Sequence, residues 1–424
     1  LFKTSFFVLI GFFISKILAY SYRVIIARYF GAEIYGVYSL SLVIIGWFIA
    51  IASLGLLEGT LRYIPLYRGK KTNKQKQKIR YIFKISSLIL IFSTIAITIV
   101  SYLSADFIAL NIFHNSNLKI FLQIFSFMIP FWVFATYFLT ILQAFEKIKQ
   151  RIFIERIIQG IVKLSALIFL IYLGLNMYAI LFSFFIGIFI IFLVGYFYCK
   201  YYFPGLFIKD KLKQKPRKEL SKSLISYSWP VMFFGIIFTI FYWTDSFLIG
   251  FLKTATEVGY YNAAVPIALL LTITPQLFLQ LLFPTIIREY AKKNMELIKE
   301  TTKQISKWIF MINIPVLLLI IIFPGAIINL LFGAEYLVAE NALRFLSIGA
   351  LFSSVFIISN NLISMIGKSK LILFDIILAT IVNILLNLLL IPKPFIFGLD
   401  NSLGLNGAAV ATMISIIIFN LLFV

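Results

Sequence analysis

Cysteine and histidine are almost missing from this 424-residue chain, where Cys199 and His114 each stand alone. A single cysteine excludes a disulfide framework and any cysteine-based metal centre. A single histidine leaves a histidine-ligated metal or a Ser/His/Asp triad almost nothing to draw on. His114 itself lies in a polar loop, with Asn115 and Ser116 next to it, and reads as a surface residue. Charge is scarce too. Asp, Glu, Lys and Arg supply 13% of the residues, about half a soluble domain's usual share. Acids are the scarcer sign, 16 against 38 Lys and Arg, for a net charge of +22. That excess does not indicate nucleic acid, because no basic cluster belongs to a segment that could fold in water. A cleavable signal peptide is not expected either, since the first apolar stretch has no small-residue cleavage site. The chain opens on Leu1 and stops inside an apolar run at Val424, so it reads as trimmed at both ends with its last helix truncated.

What the chain has in plenty is long apolar sequence: 62% hydrophobic and 17% aromatic residues. Twelve runs stand out, near 6–28, 35–58, 81–103, 118–142, 157–174, 178–198, 225–250, 260–285, 307–328, 341–365, 371–391 and 407–424. At about 20 residues each they have the length of membrane-crossing helices, whereas a membrane strand would be half as long and would alternate. The expected fold is therefore all-α, a polytopic membrane protein of about 12 transmembrane helices. With the N-terminus in the cytoplasm, 30 Lys and Arg fall in cytoplasmic segments, five outside (Arg28, Lys119, Lys253, Arg344, Lys393) and three within runs (Lys16, Arg23, Lys163). This asymmetry predicts an N-terminus in the cytoplasm.

The longest basic connection, 201–224, contains Pro204-Gly205 and the run from Lys209 to Lys222, and reads as a linker. Its charge suits topology and anionic lipid, and predicts no chemistry. It would join six-helix bundles at 1–200 and 225–424, which look like repeats. Gly36 and Tyr38 match Gly259 and Tyr261 at an offset of 223. Lys147-Ile148-Lys149 with Phe153 matches Lys368-Ser369-Lys370 with Phe374 at 221, and Leu173-Gly174-Leu175-Asn176 recurs as Leu403-Gly404-Leu405-Asn406. Six spans per copy is an even number, so the copies share one orientation, related by a parallel pseudo-two-fold axis along the membrane normal.

Polar residues inside the runs are the candidate functional groups. Lys16, Tyr20 and Arg23 share one face of the first span, since residues seven apart fall nearly in line on a helix. A cation at the bilayer centre costs roughly 2.5–3.5 kcal/mol on insertion scales. Lys16 lies about 15 Å from either end of its run at helical rise, too deep to snorkel. The stripe therefore predicts a polar cavity that takes an anionic substrate, whereas Arg28 at the outer end suits snorkelling. Asp245 lies one position from the repeat counterpart of Arg23. It reads as an interfacial carboxylate beside Tyr242 and Trp243, as a partner for Arg23 or Lys16, or as a protonatable coupling group. Thr272, Gln276 and Gln280 recur at four-residue steps among Pro266, Pro275 and Pro284, and suit either a bending substrate wall or packing between helices. Glu58 and Arg62 read as a local helix pair or a gate at the cavity floor. The stripes Glu155, Gln159, Lys163 and Asp375, Ala379, Asn383, Asn387 read as helix–helix glue.

Several of these residues carry a resemblance. Leu18 to Leu57, with Arg23, Arg28, Gly31, Tyr35-Gly36, Ser39 and Leu54-Gly55, is similar to the start of polysaccharide flippases. So are Asp245, Gly250, Glu257-Val258-Gly259-Tyr260-Tyr261, Ala263 and Pro284. The same holds for Leu331-Phe332-Gly333, Gly367-Lys368, Asn383, Asn387, Pro392, Gly404-Leu405-Asn406-Gly407-Ala408-Ala409 and Thr412. Over essentially its full length the chain resembles the oligosaccharide flippases of the multidrug/oligosaccharidyl-lipid/polysaccharide exporter superfamily, its twelve runs favouring the O-antigen type. The resemblance implies two six-helix bundles around a cationic cavity that opens alternately inward and outward in the plasma (inner) membrane. It implies a polyprenyl-(di)phosphate-linked oligosaccharide as substrate, no enzyme activity and no cofactor beyond coupling to H+, Na+ or membrane potential. Cavity cations on the first span would hold the phosphate, which fits Lys16, Arg23 and Arg28; with Tyr20, Asp245, Gln276 and Gln280 from the polar stripes they are the candidate substrate contacts, and Glu58, Arg62 and Asp245 the gate or coupling candidates. Membrane lipids and other polysaccharide assembly proteins are the expected partners of a monomer that binds no nucleic acid. A cation-coupled drug exporter should have an acidic cavity, against which Lys16 and Arg23 argue. A glycan ligase or polymerase would need a large outer loop with acidic, Arg or His groups, and the outer loops are short.

Overall fold

A computed structural model describes residues 2–68, 72–208, 214–292, 294–365, 369–392 and 404–422. Lys70-Lys71, the linker stretch 209–213, Gly367-Lys368 and 393–403 with Lys393 lie outside the described residues, as does the side chain of Gln280.

The fold is all-α, with no strand among the described residues. In chain order the helices are α1 (Phe2–Ser53), α2 (Leu56–Arg68), α3 (Asn73–Asp106), α4 (Ser116–Ser126), α5 (Ile129–Ala144), α6 (Ile148–Ile152), α7 (Gln159–Tyr172) and α8 (Tyr178–Tyr202). They continue as α9 (Gln214–Leu252), α10 (Ala255–Ala268), α11 (Ile273–Ala291), α12 (Met295–Ile322), α13 (Pro324–Leu331), α14 (Glu340–Met365), α15 (Ser369–Leu390) and α16 (Leu405–Leu421). Among the described residues, eight helices are long and apolar enough to cross a membrane, and α4 with α5, bent by 48°, meets the same test as a pair. The chain is thus a multi-pass membrane protein. Its apolar part of α1, Phe13–Ser53, has 41 residues, about 60 Å at helical rise and twice a bilayer core. It therefore holds two of the expected runs, and the break falls at Gly31 (φ 79°, ψ 174°), a conformation only glycine adopts readily.

The chain folds as two compact units that do not follow chain order. Unit 1 is Leu1–Arg23 with Ser41–Thr239, and unit 2 is Val24–Leu40 with Ile240–Val424. The tip of the first hairpin thus packs in unit 2 and the first part of α9 in unit 1. A grouping by sequence repeat places both elements the other way.

In unit 2 the residues matched at an offset of 223 meet face to face. A Cβ on Gly36 would run into the Ala255 carbonyl, and one on Gly259 would run into the carbonyl of Ala32, which stands 223 positions before Ala255. The hairpin tip and α10 therefore cross backbone to backbone, a closeness that only a residue without a side chain permits. Alongside, two prolines free carbonyls four residues back. Pro266 frees Asn262, whose oxygen accepts the Tyr35 hydroxyl at 3.0 Å. Pro275 frees Leu271, whose oxygen accepts from Asn313 Nδ2 at 2.8 Å. Neighbouring side chains thus satisfy the bends, as an apolar surrounding demands.

Candidate functional site

The cationic stripe of α1 meets a second one. The stretch 153–172 opens with a π-helical segment, Phe153–Ile158, and continues as α7. It presents Arg156 and Lys163, seven residues apart, just as Lys16 and Arg23 are on α1. Gly160 brings the two helices together, because a Cβ there would lie 2.8 Å from Leu18 Cδ1. Between them, within unit 1, lies a cavity of about 280 Å³ whose lining includes Lys16, Tyr22, Glu155, Arg156, Gln159 and Lys163.

The wall's electrostatics are lopsided. Three cations line it with one carboxylate, and that carboxylate, Glu155, is paired with Arg151 at 3.0 Å. Lys163 is steadied by aromatic faces, its Nζ 4.0 Å from the Tyr22 ring centre and 4.3 Å from that of Phe184. Such contacts are worth up to about 2 kcal/mol each when desolvated, which offsets part of the cost of burying the charge. Gly187 on α8 leaves room for the lysine stem, and the Tyr22 hydroxyl is tied to Ser183 Oγ at 3.0 Å.

Unit 2 holds a second polar cluster, of opposite character. Asp245 on α9 is 5% exposed, so the interfacial reading of this carboxylate does not describe it. Its Oδ1 accepts from Asn387 Nδ2 at 2.8 Å and Asn383 Nδ2 at 3.1 Å, both on α15. Its Oδ2 accepts the Tyr261 hydroxyl at 2.7 Å and the Thr412 hydroxyl. The two asparagines, read from sequence as helix glue, are thus its partners. Four neutral donors from α9's neighbours hold one acid, and no lysine or arginine pairs with it among the described residues.

The remaining expected residues are scattered. Arg28 is occupied as a helix cap in unit 2, donating to the carbonyls of Asn329, Leu330 and Leu331 at 3.1, 2.5 and 2.9 Å. Those are the last carbonyls of α13, where a cation also suits the helix dipole. Tyr20, half-buried, does not line the unit 1 cavity. Gln276 is half-buried on α11. Glu58 and Arg62 are both exposed and form no ion pair among the described residues, and the Arg62 guanidinium lies 4.2 Å from the centre of the Tyr227 ring.

The profile of a family described as "Polysaccharide biosynthesis protein" matches residues 1–289. The chain belongs to that family. A second profile, MatE, matches residues 230–389. Among curated relatives, an uncharacterized membrane protein of Methanocaldococcus jannaschii is 24% identical over 96% of this chain and 79% of its own length. A putative O-antigen transporter of Shigella flexneri is 22% identical over 87% of this chain and 85% of its own length. A probable low-salt glycan biosynthesis flippase of Haloferax volcanii is 26% identical over 49% of this chain and 42% of its own length. In fold, the chain is similar to the lipid II flippase MurJ in an inward closed conformation, at a TM-score of 0.73 and 20% identity, covering 98% of this chain and 86% of that one. It is also similar to an inward-facing multidrug resistance MATE transporter, at 0.79 and 15% identity, covering 96% and 92%. This chain is thus a multi-pass membrane member of the polysaccharide biosynthesis family, with a fold similar to that of flippases and multidrug transporters.

Proposed function

We propose that the chain moves a polyprenyl-(di)phosphate-linked oligosaccharide from the cytoplasmic to the outer leaflet of the plasma membrane by alternating access, for surface polysaccharide, with its N-terminus in the cytoplasm. One observation carries this reading: Lys16, Arg156 and Lys163 line a single cavity inside apolar helices. Cations inside a membrane are costly and mark substrate or ion paths, and these suit an anion. At about 280 Å³ the space falls just below the range that encloses drug-sized ligands, so it suits a phosphate headgroup and leaves the glycan outside. Arg156 can grip two phosphate oxygens at once, whereas the lysines act as point charges. Movement requires that the headgroup bind more tightly in one conformation than in another. Asp245 in its cage of neutral donors is the coupling group, through protonation or a monovalent cation.

The test is surface glycan in a flippase-deleted strain complemented at matched expression. Lys16→Leu with Arg156→Leu should abolish it with folded protein retained, and Arg156→Lys should keep part of it. Full complementation by the double variant, or by Lys16→Leu with Arg23→Leu, overturns the headgroup site. The second reading, a cation-coupled drug exporter, draws on the MatE match and on buried Asp245. It requires that the chain confer resistance to cationic dyes, which the flippase reading does not.

A further inference from the structure

A second cavity in unit 1, of about 310 Å³, lies where three spans end. Its wall is built from the first turns of α3 (Lys76, Arg80), Phe145 just after α5, and Tyr202, Phe203 and Gly205 at the end of α8. Below them Ile79 and Leu206 are buried. Phe145 and Phe203 stack with ring centres 4.0 Å apart. Arg80 passes beside the Gly205 backbone, its Nη2 3.5 Å from where a Cβ would stand. No carboxylate lines this cavity, and neither Lys76 nor Arg80 is in an ion pair among the described residues. Two further cations lie over rings of the same wall, Lys147 at 4.6 Å from Tyr202 and Arg68 at 5.7 Å from Phe145. Glu146, next to Phe145, is already paired with Arg68 at 3.3 Å.

We propose that this pocket holds the phosphodiester headgroup of an anionic phospholipid. The cations supply the charge that a phosphate needs. The position supplies the rest, because aromatic rings at the ends of spans mark the membrane–water interface. Beside the pocket, Tyr201 and Ile208 are 80% and 57% exposed, an apolar skirt against which acyl chains can lie. A free phosphate would gain nothing from that skirt. The site is separate from the cavity that holds Lys16, and the proposal does not depend on the transported substrate.

The experiment uses full-length protein from mixed vesicles of phosphatidylglycerol and phosphatidylcholine, with retained lipid counted by native mass spectrometry. Phosphatidylglycerol should be retained preferentially. Lys76→Gln with Arg80→Gln should cut that retention by roughly tenfold or more, given the attraction of two cations near a charged headgroup. Lys149→Gln with Lys200→Gln removes the same charge outside the pocket and should leave retention within about twofold. Gly205→Val crowds the pocket beside Arg80 without removing a charge and should also lower retention, which covers the case in which the charge variant does not fold. Equal retention of both lipids, or equal loss in both double variants, overturns the proposal. Displacement of the lipid by inorganic phosphate, but not by chloride at equal ionic strength, overturns the lipid as ligand in favour of free phosphate.

Discussion

Gly259→Ala tests the crossing between the hairpin tip and α10. The new Cβ would sit 2.9 Å from the Ala32 carbonyl carbon and 3.2 Å from the Gly36 nitrogen, with the Ala32 oxygen closer still. Carbon atoms in contact prefer about 3.5–4.0 Å, so the two backbones must part by roughly 1 Å. Overpacking of this kind costs about 1–3 kcal/mol. Separation also strains the bond from the Tyr35 hydroxyl to the Asn262 carbonyl, worth about 0.5–1.5 kcal/mol. Alanine's better helix propensity returns up to about 1 kcal/mol. The net expectation is a loss of roughly 1–3 kcal/mol, a five- to 150-fold change in the folding equilibrium. Gly36→Ala should behave alike, since its Cβ would meet the Ala255 carbonyl carbon at 2.7 Å. The double variant should cost less than the two singles added, because helices parted for one methyl already accommodate the other. Gly46→Ala and Gly235→Ala are the controls, with nothing within 4 Å of either new Cβ. Denaturant unfolding of purified protein, followed by tryptophan fluorescence, reads all five. If Gly259→Ala proves as stable as Gly46→Ala, the backbone contact is not what joins these helices.

Arg28→Ala should lower stability by about 1 kcal/mol through the loss of the α13 cap, with transport per folded molecule unchanged; a selective loss of transport would return Arg28 to the substrate path. Asp245→Asn should reduce transport per folded molecule, because an amide group turned toward four donors replaces an acceptor with a donor; unchanged transport removes Asp245 from coupling. In a Cys199→Ala background, cysteines at Asn73 and Lys299 should resist an impermeant thiol reagent applied to intact cells, while one at Ser116 reacts. The opposite pattern would invert the proposed orientation.

The spans were legible in sequence because burial in lipid demands long apolar runs, and a helix needs no distant partner to satisfy its backbone. Gly36 and Gly259 were legible as a repeat, although not as a contact. Of the stripe expected to face a cavity, Lys16 lines one while Tyr20 and Arg23 do not, and the opposite wall was not legible. Arg156 fell among the basic residues counted as cytoplasmic, because sequence does not show that a π-helical segment sets it on the cavity wall beside Lys16. Its signal was available in the seven-residue spacing to Lys163, which repeats that of Lys16 and Arg23. The Asp245 cluster left no local trace, since Asn383, Asn387 and Thr412 lie 138, 142 and 167 positions away. Arg28 misled in the other direction, since an exposed arginine at the end of a span looks the same whether it caps a helix or meets a ligand.

The two polar clusters occupy one address in the repeat. At the offset of 223, Asp245 corresponds to Tyr22, whose ring lies under Lys163. The cationic cavity draws on the first and fifth spans, and the carboxylate cluster on the seventh and eleventh, their counterparts. The Gly36–Gly259 crossing has the reciprocal form of an isologous subunit contact, in which residue i meets j and j meets i. A homodimer of half-length chains would carry the same polar site twice and could not alter one without altering the other. Duplication and fusion into one chain remove that constraint. One copy is then free to collect positive charge while its twin keeps an acid, so that one position in the repeat carries two opposite electrostatic characters.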